Sequence, residues 1–296
     1  MDNKPVVSII IPFYNRFEYL KDTLLSIINQ TFVDYEVIIV DDGSEPEIIR
    51  KASLFCDKLD FRFKFLQRPA NYSKGANGCR DFGYTKSQGE YIKWFDSDDL
   101  MKTDFIEIQL EKIIAHQLDG VFAECKVYNQ DFTVVLRDNW RKKSYSENIL
   151  SDYLKTQMGW QTGSGLWRKK SIGHLEPFKQ NIKNAQEWIF HLYILTENLQ
   201  LGVIQKELFM MRSHSDSISG QKSKDYYRNK LIARTLAFNR LIATGNHGKS
   251  YLLKYFVSQL MKSDGKEKTE LLKIVFENLK FKFGPNKKSS LIKIKI

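Results

Sequence analysis

The chain has 296 residues, 42% hydrophobic and 27% charged, which is enough for a substantial core in one large domain or one domain with an appendage. No stretch approaches the roughly 20 apolar residues of a membrane-spanning helix, and the first ten residues indicate a strand rather than a signal peptide. The three cysteines are far apart and form no CxxC pair, so we expect neither a zinc site nor disulfides, and a cytoplasmic location fits.

The net charge of +11 is concentrated in the last quarter of the chain. Residues 222–296 contain 18 Lys and Arg against 5 Asp and Glu, a net charge of +13, whereas residues 1–221 contain 28 against 30, a net charge of −2. A nearly neutral main body argues against a basic groove for nucleic acid, so no nucleic-acid partner is expected.

The first part of the chain alternates between short apolar runs and amphipathic segments. Strands are predicted at residues 6–15, 36–44, 61–67, 91–95 and 120–128, and helices at 16–30, from 46 onward, at 75–87 and at 103–117. Asn15 with Glu18, and Ser44 with Glu47, have the spacing that caps a helix start. Regular alternation of strand and helix predicts parallel strands with helices on both faces of the sheet.

After residue 120 the pattern becomes mixed, and from about residue 223 it is helical only. Strands are predicted at 132–138, 163–169 and 201–214, and helices at 184–198, 225–243, 248–261 and 266–281. We therefore predict an α/β fold with a mixed sheet in residues 1–221, divided into halves at about 1–100 and 101–221. Residues 222–296 are predicted to form a basic, helical C-terminal extension.

Three of the predicted strands end in polar residues. The first is followed by Tyr14 and Asn15, the second by Asp42 and Ser44, and the fourth by Asp96-Ser97-Asp98-Asp99. In open α/β sheets ligands bind at the carboxyl ends of the strands, and a divalent cation such as Mg²⁺ or Mn²⁺ would offset the repulsion of clustered carboxylates. The alternative is that Asp98 or Asp99 caps the following helix.

The chain resembles the family 2 glycosyltransferases with the GT-A fold. The motifs that carry the resemblance span roughly residues 5–220 and are, in order, VSIIIPFYNR, SIINQTFVDYEVIIVDDGS, NYSKGANGCRDFG, GEYIKWFDSDD, QEWIF and MRSHSDSIS. The first four are highly specific in this order and spacing, whereas the last two are looser. The resemblance implies a Rossmann-like mixed sheet, a nucleotide-sugar donor that is usually UDP-linked, and Mn²⁺ or Mg²⁺ as cofactor.

The resemblance also assigns residues to the donor. Pro12 and Tyr14 would line the base pocket, Asp42 would accept a hydrogen bond from the ring NH of the base, and Asp96 would face the ribose and the sugar. The full set implied for the nucleotide sugar is Pro12, Tyr14, Asn15, Asp42, Asn71, Lys74, Asp96 and Ser97. An aromatic face suits a nucleobase, and a carboxylate accepts well from a ring NH.

The same resemblance assigns the metal and the reaction chemistry. Asp98 would bind the metal, and His214 would either contact the metal or diphosphate or be structural. The family's acidic pair before a tryptophan is Gln186-Glu187 here, so Glu187 would be the catalytic base, with a surface carboxylate as the alternative. Trp160 and Trp167 would be sugar-stacking platforms for the acceptor, or else buried core residues.

The function expected from the resemblance is inverting transfer of a sugar to a glycan or lipid-linked saccharide in surface polysaccharide synthesis. A non-catalytic nucleotide-sugar-binding relic and an aspartyl phosphatase or phosphotransferase are the alternatives. The apolar faces of the C-terminal helices would pack on the main body or on a second copy in a homodimer. Alternatively, part of this basic tail would lie on an anionic membrane at its cytoplasmic face, with residues 287–296 as the segment expected to be free.

Overall fold

The computed structural model describes residues 4–141, 143–178, 185–214, 224–262, 265–278 and 294–295. The strands are β1 Val7–Phe13, β2 Tyr35–Asp41, β3 Phe63–Gln67, β4 Tyr91–Trp94, β5 Leu100–Met101, β6 Gly120–Tyr128, β7 Val135–Arg137, β8 Gly165–Arg168, β9 Leu201–Arg212 and β10 Ile294–Lys295. The helices are α1 Phe17–Ile28, α2 Pro46–Leu59, α3 Ala76–Lys86, α4 Phe105–Ala115, α5 Ile149–Leu154, α6 Lys169–Ile172, α7 Gln186–Leu195, α8 Lys224–Ala243, α9 Lys249–Lys262 and α10 Gly265–Asn278.

The described strands form one mixed sheet in the order β10-β9-β6-β8-β4-β1-β2-β3, with β5 beside β9 and β7 beside β6. Strands β4, β1, β2 and β3 are parallel neighbours, β8 is antiparallel to both β4 and β6, and β9 is parallel to β6. The predicted alternation of strands and crossover helices in the first hundred residues is therefore confirmed. So is the change to a mixed pattern after residue 120.

Apolar cores lie on both faces of the sheet. Successive residues of a strand point to opposite faces, and accordingly Ile10 packs with α7 and α8 in one core whereas Ile9 and Ile11 pack with α1 and α4 in the other. The helices on both faces that the sequence predicts are thus present. The polar residues lie just beyond the carboxyl ends of β1, β2 and β4.

The predicted helix caps are wrong. Helix α1 begins after Arg16 and α2 after Glu45, and neither N-cap residue makes a side-chain capping bond. Asn15 instead adopts a positive φ of 57° and joins two loops: its backbone N–H donates to Ser44 Oγ at 2.8 Å, and its Oδ1 accepts from Glu45 N at 2.8 Å. Its polar side chain satisfies a neighbouring helix rather than its own.

The C-terminal helices pack on the main body, so the structure favours the packing alternative for their apolar faces. Leu231 of α8, Phe256 of α9 and Ile274 of α10 are buried in the same core as Trp188 and Leu195 of α7. Within the described residues no helix is long and apolar enough to cross a membrane.

Residues 287–296 are expected from the sequence to be free, but the two of them that the structure describes are paired with the sheet. Ile294–Lys295 forms the short strand β10, which pairs in parallel with β9 at Leu201 and Gly202. The alternating apolar and Lys residues of this segment are compatible with an edge strand. The other residues of 287–296 lie outside the described residues.

Candidate active site at the carboxyl edge of the sheet

The carboxyl ends of β4, β1 and β2 lie side by side because these strands are parallel neighbours. The three polar strand ends singled out in the sequence therefore meet at one edge, as expected. The backbone also joins the loops, since Asp42 N donates to Phe13 O at 2.9 Å. This edge is the candidate active site.

The turn after β2 is built around two aspartates with different tasks. Asp41 accepts from the backbone N–H groups of Gly43, at 2.9 Å, and Ser44, at 3.1 Å, which closes the turn; Gly43 has a φ of 89°, a conformation suited to glycine. Asp42 instead accepts at Oδ1 from Arg68 Nε at 2.6 Å and from Gly75 N at 2.9 Å. Its carboxylate is thereby held in one orientation.

The other residues expected at the nucleotide differ in exposure. Pro12 is buried in β1, and Tyr14 has half of its side chain exposed beside it, as an aromatic face for a base requires. Asn71 and Lys74 are exposed in the loop before α3, and Ser97 is partly buried in the turn after β4. Their donor roles stay predictions.

Asp96, the first carboxylate after β4, pairs with an arginine that sequence reasoning did not single out. Arg80 of α3 donates from Nη2 to Asp96 Oδ1 at 2.5 Å and from Nη1 to Asn77 Oδ1 at 3.2 Å. The guanidinium also lies 5.2 Å from the centre of the Phe178 ring. Because Arg80 is almost fully buried, it is a fixed counter-charge behind Asp96.

Asp98 and His214, the two predicted metal ligands, are in direct contact. Asp98 Oδ2 lies 2.9 Å from His214 Nε2, and Arg16 Nη1 lies 3.4 Å from the same oxygen. Among the described residues no group of three or more His, Cys, Asp or Glu could hold a metal ion. A carboxylate and an imidazole nevertheless suit Mn²⁺, which commonly completes its coordination with substrate phosphates and water. These two residues therefore fit a metal that is bound together with a diphosphate.

Asp99 is a structural residue of the turn after β4. Neither Asp98 nor Asp99 caps a helix, since α4 begins after Asp104. The Asp99 side chain is buried and accepts from Arg212 N at 3.0 Å. Burial raises the pKa of Asp99 well above its usual range, and the charges of Asp98 and Asp96 raise this pKa further.

Arg212, the last residue of β9, stabilises the turn after β4, and sequence reasoning missed this residue. Its side chain donates to Asp98 O at 2.9 Å, to Gln130 O at 2.7 Å and to Asp22 Oδ2 at 2.9 Å. Because His214 follows two residues later, Arg212 also brings that imidazole to the turn.

Glu187 is the second residue of α7 and is partly buried. Burial raises its pKa above the ordinary value; the negative charge of Asp96 also raises it, whereas the positive charges of Arg80 and Arg141 lower it. Glu187 is thus within electrostatic range of the Asp96 turn, and a raised pKa is typical of a group that accepts a proton near neutral pH. Its role as a base stays a prediction.

Trp160 and Trp167 are both buried, with 3% and 1% of their surfaces exposed. The Trp160 ring stacks on Phe122 with centroids 3.8 Å apart, and its Nε1–H donates to Ser144 O at 2.8 Å. Trp167 packs edge-on against Phe122 at 4.9 Å. The structure therefore favours the core alternative for both tryptophans over sugar-stacking platforms, because their faces are occupied by other side chains.

Comparisons with known proteins agree with this architecture. The chain is 29% identical over 234 residues to an uncharacterised glycosyltransferase of Rickettsia bellii, a match that covers 79% of this chain and 32% of that protein. The chain thus spans about a third of the length of that relative.

Solved structures share the fold. S. aureus TarS in complex with UDP-GlcNAc matches with a TM-score of 0.65 at 18% identity, over 92% of this chain and 71% of that one. The mannosyltransferase PcManGT from Pyrobaculum calidifontis, in complex with GDP-Man and Mn²⁺, matches with a TM-score of 0.55 at 14% identity, over 92% of this chain and 79% of that one. The mixed sheet is accordingly the GT-A fold expected from the resemblance.

The family model of glycosyl transferase family 2 matches residues 8–173. This region contains β1 to β4, the two aspartate turns and Arg80, and it extends through β8. Since the match covers more than half of the chain, the protein belongs to glycosyl transferase family 2.

Proposed function

We propose that the chain is an inverting, metal-dependent glycosyltransferase that moves a sugar from a UDP-linked donor to a hydroxyl group of a glycan or lipid-linked saccharide in surface polysaccharide synthesis. The observation that carries the proposal is an oriented carboxylate (Asp42) and a carboxylate–imidazole pair (Asp98 and His214) at one edge of the sheet, with a glutamate of raised pKa (Glu187) in electrostatic range of Asp96. The UDP-GlcNAc bound by TarS supports the choice of donor.

The proposed reaction assigns one task to each group. Glu187 takes the proton of the acceptor hydroxyl, and that oxygen forms a bond to the anomeric carbon. The bond from this carbon to the diphosphate oxygen breaks on the opposite side, and its electron pair leaves with UDP, so the configuration inverts. Positioned general-base catalysis of this kind contributes roughly 10²–10⁴ in rate.

The metal is assigned to Asp98 and His214. A divalent cation held there would stabilise the negative charge that develops on the leaving diphosphate. The protein contributes a preformed pair, since Arg212 anchors both the Asp98 backbone and the end of β9. Asp42, held by Arg68 and Gly75, would accept from the ring NH of uracil.

The experiment is a panel of nucleotide sugars, each tested for hydrolysis and for thermal stabilisation with Mn²⁺ or Mg²⁺. A ligand at 100 times its Kd stabilises by about 2.7 kcal/mol, which a melting curve resolves. Asp98→Asn should abolish turnover and the Mn²⁺-dependent part of UDP binding. Asp34→Asn is a matched control, because Asp34 is exposed at the opposite, amino end of β2 and should leave both unchanged. Metal-dependent UDP binding that persists in Asp98→Asn would refute the metal assignment.

The two alternatives predict other results in the same panel. A nucleotide-sugar-binding relic would be stabilised by UDP without Glu187-dependent hydrolysis; Gln186, which replaces an acid of the family pair, is the feature that favours it. A phosphatase using Asp96 as nucleophile would need its aspartate motif at the end of the first strand, where this chain has Pro12, Phe13 and Tyr14.

We also propose that the C-terminal extension attaches the enzyme to an anionic membrane at its cytoplasmic face. Leu253, Val257 and Met261 lie at successive turns of α9 and are 49%, 54% and 80% exposed, with Lys254 beside them. An apolar helix face in a segment of net charge +13 complements an anionic lipid surface, where each basic residue contributes roughly 1 kcal/mol.

Sedimentation with lipid vesicles tests this attachment. The protein should bind phosphatidylserine-containing vesicles, release at high salt, and bind neutral vesicles weakly. Val257→Gln should weaken binding while donor hydrolysis in solution is retained. If this variant instead converts a dimer into a monomer, the face joins two copies of the chain and the membrane proposal is wrong.

A further inference from the structure

The charges around Glu187 are unequally paired. Four side chains are involved: the carboxylates of Glu187 and Asp96 and the guanidinium groups of Arg80 and Arg141. Arg80 is buried and hydrogen-bonded to Asp96, so its positive charge is balanced by that carboxylate. Arg141 is exposed, and within the described part of the chain no carboxylate forms an ion pair with it.

Neighbouring side chains connect Arg141 to the start of α7, which carries Glu187. Its guanidinium lies 4.3 Å from the centre of the Trp140 ring, which orients the head group. A Cβ placed on Gly159 would lie 3.5 Å from Arg141 Cγ and 3.7 Å from Tyr153 Cε2. Tyr153 in turn donates from its hydroxyl to Trp188 O at 3.1 Å, next to Glu187 in α7.

The segment that carries Arg141 is anchored to the body. Lys143 forms a parallel bridge with Met158, and Ser144 O accepts from Trp160 Nε1 at 2.8 Å. Ser144 Oγ donates to Glu124 of β6 at 2.5 Å. Arg141 therefore belongs to a segment that is held in place on the body near Glu187, the proposed base.

We propose that Arg141 binds an anionic group, phosphate or carboxylate, of the sugar substrate that lies at Glu187. The planar guanidinium offers paired donors that match both groups, and Arg141 is exposed with no carboxylate in an ion pair with it among the described residues. The positive charge also keeps Glu187 ionised at lower pH, which suits a base. This inference rests on the proposed function and names the substrate class of the same site.

The anionic group can belong either to the donor sugar or to the acceptor, and two arms of one experiment separate these sources. In the donor arm, hydrolysis of UDP-glucose is compared with that of UDP-glucuronate at fixed ionic strength. In the acceptor arm, the full chain saturated with UDP and Mn²⁺ is titrated with glycerol 3-phosphate and N-acetylglucosamine 6-phosphate, against glycerol and N-acetylglucosamine. Thermal shift reports binding in this arm without requiring turnover.

In at least one arm we expect the anionic compound to be preferred over its neutral counterpart, in hydrolysis for the donor arm or in thermal shift for the acceptor arm. Arg141→Met keeps an unbranched side chain but removes the charge, and should weaken that preference by roughly 10-fold or more, as for a lost hydrogen bond to a charged group. Lys143→Ala is the matched control, because Lys143 is an exposed cation two residues away on the same segment. It should retain the preference.

Three results would overturn the inference. The first is that neither arm shows a preference for the anionic compound, and the second is that this preference survives in Arg141→Met. The third is that Arg141→Met and Lys143→Ala lose the preference equally, which would indicate general attraction to a basic surface. Hydrolysis of any UDP-sugar by the unaltered chain tests the proposed function separately. Failure of the Arg141 inference therefore leaves that function standing.

Discussion

Replacing Glu187 by Gln keeps the size and polarity of the side chain but removes its charge and its capacity to take a proton. If Glu187 is the base, turnover should fall by roughly 10²–10⁴-fold. UDP affinity should stay close to that of the unaltered protein, because the residues assigned to the uracil and to the diphosphate are Asp42 and Asp98, not Glu187. The acid limb of the activity profile should follow the raised pKa of Glu187, so activity is lost as the pH falls through that value.

The same substitution should stabilise the fold at neutral and alkaline pH. Burial raises the pKa of Glu187 in the folded state, so ionising this carboxyl costs folding free energy as the pH rises through that pKa. Each unit of pKa difference between folded and unfolded states is worth about 1.4 kcal/mol. Gln does not ionise, so the stability gain should be absent below pH ~4, near the unfolded pKa of Glu, and complete above the folded pKa.

Urea denaturation between pH 4 and pH 8, combined with donor hydrolysis over the same range, measures both effects. Glu47→Gln is the control: Glu47 is also the second residue of its helix, α2, but it is exposed, and its bond to Arg50 lowers its pKa. That variant should be fully active and should gain no stability at high pH. A Glu187→Gln variant that retains full turnover, or that is less stable than the parent at pH 8, would refute this reasoning.

Three further substitutions test other contacts of the site. Arg80→Met removes a positive charge that lowers the pKa of Glu187, so the acid limb of the activity profile should move to higher pH. Trp160→Ala should reduce the free energy of unfolding by roughly 3–5 kcal/mol in urea titrations, because it leaves a cavity where the indole ring packs on Phe122. Donor hydrolysis by the folded fraction should persist. Arg16→Met removes the cation beside the predicted metal-binding carboxylate, so Mn²⁺ alone should bind more tightly, measured from the EPR signal of free Mn²⁺.

The order of elements at this edge could be predicted because its signals are local. Apolar runs such as those of β1 and β2 mark buried strands, and parallel connection then brings their carboxyl ends together. Motif order supplied the family, and the family assigned Asp98 to the metal and offered the metal or diphosphate as one alternative for His214; the structure shows that the two residues, far apart in the chain, are in direct contact.

The partners of these residues could not be predicted, because they depend on packing between elements. Arg80 reaches Asp96 across the α3–β4 connection, and Arg212 reaches Asp98 from β9, which comes much later in the chain. Asn15 has the spacing of a capping residue, but α1 begins after Arg16, and the Asn15 side chain accepts from Glu45 N, at the start of α2. No periodicity in the sequence encodes such contacts.

The arginines explain how several carboxylates can lie close together at one edge of this sheet. Asp42 is paired with Arg68, Asp96 with Arg80 and Asp98 with Arg16, so repulsion at each position is offset by a guanidinium. These pairs differ in accessibility: the side chains of Arg68 and Arg80 are 11% and 10% exposed, whereas that of Arg16 is 31% exposed. Breaking a buried pair leaves an uncompensated charge, which is costly, whereas a pair whose arginine is more accessible to water contributes less. Exchange of a protein cation for a metal ion is therefore expected at Asp98, while Asp42 and Asp96 keep their arginines and the geometry that these arginines impose.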